Sequence, residues 1–249
     1  MLKLLIKSNH NYDINIREYI PQNMKEIIIA CHGFGGDKES SAIIALANEM
    51  KKYSIGVICF DFPAHGESNA SDNDLKIQNC IDDIFSVEKY IENKYLNIPI
   101  SIFATSFGAY ITLLKIFKYN TKYNHIILRA PAIKMDEILK KNILKENFGL
   151  LKEKGEIYFG FERKFKLTYS FYISLTENKI LNLYNNVEKQ KINIIQGNVD
   201  DIAPIKDTYE FRSLDTENIF IKEILGADHR MKKEGELEQV IEFSKKILL

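Results

Sequence analysis

The chain has 249 residues, of which 45% are hydrophobic and 27% charged, and its 34 basic residues balance 34 acidic ones. That length is ample for a sizeable core in one large domain or two small ones. A net charge of zero excludes the basic excess on which nucleic-acid binders rely, and this much apolar sequence without net charge excludes a disordered chain.

In chain order, the stretch 1–7 (MLKLLIK) is too short and too soon interrupted for a secretion signal. Residues 2–6 read as an edge strand, and 13–19 as a second, antiparallel one. Short, β-branched runs then follow at 26–30, 55–60, 99–104, 125–128, 192–196 and 219–225. Those near the middle lack polar alternation, as expected of parallel strands covered on both faces. Between them, 39–52, 75–95, 109–119, 205–213 and 234–248 carry apolar residues at helical spacing. Ile81, Ile84, Val87 and Ile91 share one face, with Glu88 at its rim. This alternation predicts an α/β fold with a doubly wound, mainly parallel sheet of about eight strands.

The segment 134–189 breaks the rhythm. It is rich in Phe and Tyr and lies between two core strands, so it reads as an insertion over one end of the sheet within a single domain spanning 1–249. No run approaches the roughly 18 apolar residues of a membrane helix. Cys31, Cys59 and Cys80 are too few for a disulfide framework and read as core residues of a reducing, cytoplasmic setting.

In an open parallel sheet, ligands gather at the carboxyl ends of the strands. The residues placed there are Cys31-His32-Gly33-Phe34-Gly35-Gly36, Asp61-Phe62-Pro63-Ala64-His65-Gly66-Glu67-Ser68, Ala104-Thr105-Ser106-Phe107-Gly108, Gly197-Asn198-Val199-Asp200-Asp201-Ile202-Ala203-Pro204, and Gly226-Ala227-Asp228-His229. The glycine-rich loop is not a phosphate loop, because Gly36-Asp37-Lys38-Glu39 lacks the required Gly-Lys-Ser/Thr. It also lacks the third glycine of a dinucleotide fingerprint. Asp61, His65 and His32 could converge on a metal, but no His-x-His or His-Glu-x-x-His string anchors a zinc site, and neither metal nor cofactor is expected. Ser106 read alone is equally a helix cap.

Taken together, these motifs resemble the α/β-hydrolase superfamily over nearly the whole chain, in its serine esterase, lysophospholipase-like or serine aminopeptidase-like branch. Ser106 matches the nucleophile elbow, Gly-x-Ser-x-Gly, with Ala104 in place of the first glycine and Gly108 kept. The resemblance implies Ser106 as nucleophile, His229 as base and an orienting acid between them in sequence. Asp200 fits the acid loop by its spacing from Gly197 and to Pro204; Asp201 is the adjacent rival, and Asp228 reads as a loop residue. The backbone N–H groups of Phe34 and Phe107 are implied for the oxyanion hole, and their side chains for an apolar substrate pocket. His32, His65 and Asp61 are implied to shape loops, whereas His10 and His125 read as surface or structural residues.

The insertion reads as a lid in which Phe148, Tyr158, Phe159, Phe161, Phe165, Tyr169, Phe171 and Tyr172 line a surface over Ser106, or else form a small core of their own. The expected partner is a small-molecule ester or acyl substrate, with a short or aromatic carboxylic ester leading. A peptidase, an aminopeptidase or a thioesterase on the same residues, and a non-catalytic ligand-binding protein on the same scaffold, are the alternatives. Feruloyl-type esterases and monoglyceride-lipase-like enzymes are among the short-insertion relatives that the chain resembles.

Overall fold

Apolar runs become central strands here because helices cover both faces of one sheet. The computed structural model describes residues 4–160, 163–184 and 187–249. Strands β1 (Leu4–Lys7), β2 (Asp13–Tyr19), β3 (Glu26–Cys31), β4 (Ile55–Phe60), β5 (Ile100–Thr105) and β6 (Ile126–Arg129) come first in the chain. A separate hairpin, β7 (Glu156–Phe159) and β8 (Phe165–Thr168), precedes β9 (Ile192–Gly197) and β10 (Ile219–Ile224). The eight-stranded sheet runs β1-β2-β4-β3-β5-β6-β9-β10. All its neighbours are parallel from β4 to β10, while β2 is antiparallel to both β1 and β4.

The pleat divides each central strand between two layers. Ile27, Ile29 and Cys31 face one core with Ile58 and Phe60, and Ile28 and Ala30 face the other with Val57 and Cys59. Helices α1 (Ser41–Met50) and α9 (Glu236–Leu248) close the second core through Leu46, Met50, Val240 and Leu248. Helices α2 (Ile77–Lys94), α3 (Phe107–Tyr119) and α8 (Ile205–Arg212) close the first through Ile81, Ile84, Leu113 and Phe211. Burial on both sides removes the polar alternation from the strands. No helix among the described residues is long and apolar enough to cross a membrane.

The expected elements are present with shifted ends. Residues 2 and 3 of the first expected strand lie outside the described residues. Helix α1 is shorter than the expected 39–52, because the chain tightens into a 3₁₀ turn at Lys51–Tyr53 and Ser54 adopts φ 60°. Helix α2 starts at Ile77, since Ser71 caps a separate 3₁₀ turn over Asp72–Asp74. Helix α3 starts two residues early, at Phe107, directly after the serine turn.

The insertion between β6 and β9 is mostly regular structure. A short helix α4 (Met135–Glu137) runs into a π-helix at Ile138–Leu144 and then into α5 (Asn147–Lys154). After the hairpin come α6 (Tyr169–Glu177) and α7 (Ile180–Leu183). Phe148, Tyr169 and Tyr172 cluster among themselves, whereas Phe159, Phe165 and Phe171 turn toward Phe34. Tyr158 is 75% exposed, because alternate side chains of a strand point to opposite faces. Phe161 lies outside the described residues.

One buried acid ties the amino-terminal strands to α2. Asp83 accepts hydrogen bonds from the hydroxyls of Tyr12 (3.0 and 3.1 Å) and Ser8 (2.9 Å). Burial pushes its carboxyl up to about 7, with the charges of Asp82 and Asp74 adding to the rise. The folded state therefore holds this proton at a pH where the unfolded chain has released it, so stability falls as pH rises through that window. Wild type should lose on the order of 4 kcal/mol relative to D83N between about pH 4 and about pH 8, measured by urea denaturation across pH.

Candidate active site

The order of the strands reverses around β3: the chain passes from β3 to β4 on one side and returns to β5 on the other. Adjacent loops after β3 and β5 are therefore forced apart in direction, opening a crevice at their carboxyl ends. Ser106 occupies the end of β5 with φ 51° and ψ −110°, a strained conformation for a residue with a Cβ. Its N–H donates to Arg129 O (3.0 Å), and its C=O accepts from Tyr110 (3.0 Å) and Ala132 (3.2 Å). Gly108 makes the turn possible, since a Cβ there would lie 2.5 Å from His32 O. The loop after β3 also comes close, for a Cβ on Gly33 would lie 3.3 Å from that of Ser106.

Three residues distant in sequence meet at this turn. Ser106 Oγ lies 3.0 Å from His229 Nε2, and His229 Nδ1 lies 2.8 Å from Asp200 Oδ2. A carboxylate only accepts, so Nδ1 carries the ring proton and Nε2 is left to accept from the serine hydroxyl. The other carboxylate oxygen, Oδ1, accepts from the N–H groups of Ile202 (3.0 Å) and Ala203 (2.8 Å). Asp201 is exposed. Asp228 Oδ1 accepts from the N–H groups of Arg230 and Met231 and so shapes the turn after His229.

Phe107 follows Ser106 directly in the chain, and Phe34 follows Gly33, the residue of the loop after β3 that comes against Ser106. Phe107 opens α3, where the first N–H groups of a helix lack intrahelical acceptors and carry its partial positive charge. Phe34 is the second residue of the turn closed by Gly36 N–H to Gly33 O (3.0 Å). Neither N–H has a hydrogen-bond acceptor among the described residues. The Phe107 ring is fully buried against Phe34, Phe62 and His65, and Phe34 is nearly so beneath Phe159, Phe165 and Phe171. Ser106 itself is only 8% exposed.

The residues weighed for a metal are committed elsewhere. Asp61 accepts from Lys38 N–H (2.8 Å), Lys38 Nζ (2.7 Å) and Glu67 N–H (3.0 Å), which fastens the loop after β3 to the loop after β4. His32 Nδ1 donates to Gly33 O (2.8 Å) and Nε2 accepts from Phe62 N–H (3.1 Å), so the ring is neutral; burial lowers its pKa further. His65 Nδ1 donates to Pro63 O (2.9 Å), and burial pushes this imidazole down to about 3. His10 is tied to Asp82 (3.0 Å), away from this crevice. Burial raises the thiols of Cys31, Cys59 and Cys80, which disfavours thiolate chemistry at neutral pH.

Sequence reasoning missed three polar residues. Lys38 is buried although lysine is ordinarily a surface residue, and its partners lie 23 and 29 positions away. Gln196 sits buried at the end of β9, and its only sequence signal is polarity in an otherwise apolar strand end. Arg163 reaches from the β7–β8 connection to the carbonyls of Gly66 (3.2 Å) and Ser68 (2.7 Å).

The sheet order, the strained serine turn and the loop that meets it define a protein of the α/β-hydrolase superfamily. A family model described as serine aminopeptidase, S33, matches residues 22–163, and the chain belongs to that family. The match includes Ser106 and Phe34 and ends before Asp200 and His229. A Mycoplasma genitalium protein with the provisional name esterase/lipase 2 is 24% identical over 250 aligned positions, covering 90% of both chains. A monoglyceride lipase homolog of monkeypox virus is 21% identical, covering 84% of this chain and 83% of its own. Among solved structures, the ferulic acid complex of Est1E from Butyrivibrio proteoclasticus superposes with a TM-score of 0.82 at 17% identity, covering 98% and 99% of the two chains. Mouse α/β-hydrolase domain-containing protein 10 gives a TM-score of 0.73 at 17% identity, covering 100% and 98%. The structures share the fold, and the family and the named relatives mark the chain as a hydrolytic enzyme.

The strain at Ser106 is measurable by itself. S106A and S106G both lose the hydroxyl and its bond to His229, but only glycine is free of the Cβ conflict at positive φ. S106G should be more stable than S106A by roughly 1–2 kcal/mol in chemical denaturation; equal stabilities would show that the turn is unstrained.

Proposed function

We propose that the chain is a serine-dependent carboxylic ester hydrolase, with Ser106 as nucleophile, His229 as general base and Asp200 as the acid that orients it. The observation that carries this reading is the unbroken run of hydrogen bonds from Ser106 through His229 to Asp200, beside two N–H groups with no acceptor among the described residues. Serine oxygen is a poor nucleophile until a base takes its proton, and His229 Nε2 is within reach to do so. Ser106 Oγ attacks the ester carbonyl as the proton passes to Nε2, and the resulting oxyanion is held by the N–H groups of Phe34 and Phe107. His229 then returns the proton to the departing alkoxide, leaving an acyl-enzyme. Water attacks that ester with His229 again as base, and the carboxylic acid leaves with Ser106 restored.

The aromatic side chains over the loop after β3 favour a small ester with an apolar or aromatic acyl or alcohol group. The named activities of the relatives lean the same way. Three buried free thiols fit a reducing, cytoplasmic setting.

On this reading the segment 134–189 is a lid. Phe159, Phe165 and Phe171 cover Phe34, and Arg163 latches the hairpin to the loop after β4.

A fluorophosphonate should label Ser106 alone, and S106A and H229A should lower kcat for a p-nitrophenyl ester by at least about 10³-fold, with D200N close behind. A folded wild-type protein that neither labels nor turns over esters would leave the scaffold as a binding protein. For the lid, R163A should speed labelling by a bulky fluorophosphonate severalfold while hardly changing that by a small one. Equal effects on both probes would rule out a latch.

A further inference from the structure

Gln196 is the last side chain of β9 before Gly197, and it is fully buried. An apolar residue would satisfy the packing of such a strand, whereas a buried amide left without partners costs about 1–3 kcal/mol. Two of its side-chain hydrogen bonds lead to the acid loop and one to α8. Nε2 donates to Ala203 O (2.5 Å) and, over a longer reach, to Asp200 Oδ2 (3.4 Å), while Oε1 accepts from the Thr208 hydroxyl (2.6 Å). The orientation of the amide is dictated by chemistry. Both a backbone carbonyl and a carboxylate only accept, so the NH₂ group must face them.

These bonds close a small ring around the carboxylate. Ala203 donates its N–H to Asp200 Oδ1 (2.8 Å) and accepts from Gln196 through its C=O. Through that C=O, Gln196 thus holds the residue whose N–H grips one carboxylate oxygen, and it also touches the other, the oxygen that takes His229 Nδ1. Thr208, buried on α8, fixes the far end of the amide.

We infer that Gln196 is a positioning residue that sets the plane of the Asp200 carboxylate, so that Oδ2 stays aimed at His229 Nδ1. This rests on the reading of Asp200 as the orienting acid. A carboxylate free to turn would let the imidazole rotate, and misplacement of a reacting group by about 1 Å costs up to 10²-fold in rate.

The test compares Q196M and Q196E with wild type in ester kinetics, in fluorophosphonate labelling rate and in pH profile, with folding followed by thermal melts. Q196M keeps the volume and loses the donor. It should lower kcat and the labelling rate by about 10- to 100-fold with KM nearly unchanged. In Q196E an ionised carboxyl would face two acceptors. The loss should therefore be deepest at high pH and shrink as the introduced carboxyl takes up a proton and can donate again. The added negative charge should also move the acid limb of the profile to higher pH. T208V leaves the amide in place but loosens it, and it should give a smaller loss of the same kind even where Q196M folds poorly. Folded variants with wild-type kcat, KM and profile would overturn the inference, as would parallel changes in kcat and KM with the profile unmoved. A wild-type protein that does not react with the fluorophosphonate would overturn the reading of Ser106 itself, and this inference with it.

Discussion

The chemistry proposed for this fold depends on one strained residue. At φ 51° and ψ −110°, Ser106 lifts its hydroxyl above the sheet at a cost of about 1–3 kcal/mol, and such a backbone persists only where its surroundings over-determine it. They do so here on three sides. Arg129 O and the N–H groups of Tyr110 and Ala132 fix both of its peptide groups, and the absent side chain of Gly108 lets α3 lie against the carbonyl of His32. The residues that over-determine the turn come together because β3, β5 and β6 are adjacent parallel strands whose carboxyl ends lie at the same edge of the sheet.

Polar groups buried around that point serve geometry more than stability. A buried ion pair such as Lys38 with Asp61 gains little over apolar packing, although removing one partner costs about 3–5 kcal/mol. Lys38 holds the loop after β3 against the loop after β4 through its N–H and Nζ to Asp61 and its Nζ to Glu67, and the neutral His32 bridges the same two loops from the other side. The turn bearing the Phe34 N–H is therefore held from both sides. A donor aimed at a developing charge is effective only if it need not move to meet it.

Much of this was legible in the sequence, and the limit is physical. Parallel strands announce themselves because burial on both faces demands unbroken β-branched runs, as in IGVICF. Ser106, Asp200 and His229 could be picked out because their chain order and local spacing match the superfamily motifs, and the sheet brings all three to one edge. What stayed hidden depends on which side chains meet across long separations. Nothing near Lys38 predicts burial beside Asp61, and nothing near Gln196 reports that Ala203 and Thr208 will fold over it. The Phe and Tyr residues of the insertion were visible as composition, but their division between Phe34 and a cluster of their own depends on the register of the hairpin that carries Phe159 and Phe165 and on how α5 and α6 present Phe148, Tyr169, Phe171 and Tyr172, which composition does not carry.

The same hairpin sets the terms on which a substrate could reach Ser106. Phe34 lies under three aromatic rings, and such pairs contribute about 0.5–1.5 kcal/mol each beyond the area they bury. Opening the crevice from that side would sacrifice several of these contacts at once unless an apolar ligand replaced them. On the proposed reading the polar contacts of Arg163 would behave differently, because water could substitute for its carbonyl partners if the hairpin lifted. On the proposed reading, an apolar or aromatic ester thus compensates the aromatic contacts that it displaces, whereas a polar ligand of equal size does not. Selectivity for apolar substrates would then arise partly from the cost of opening, before any contact with Ser106 is made.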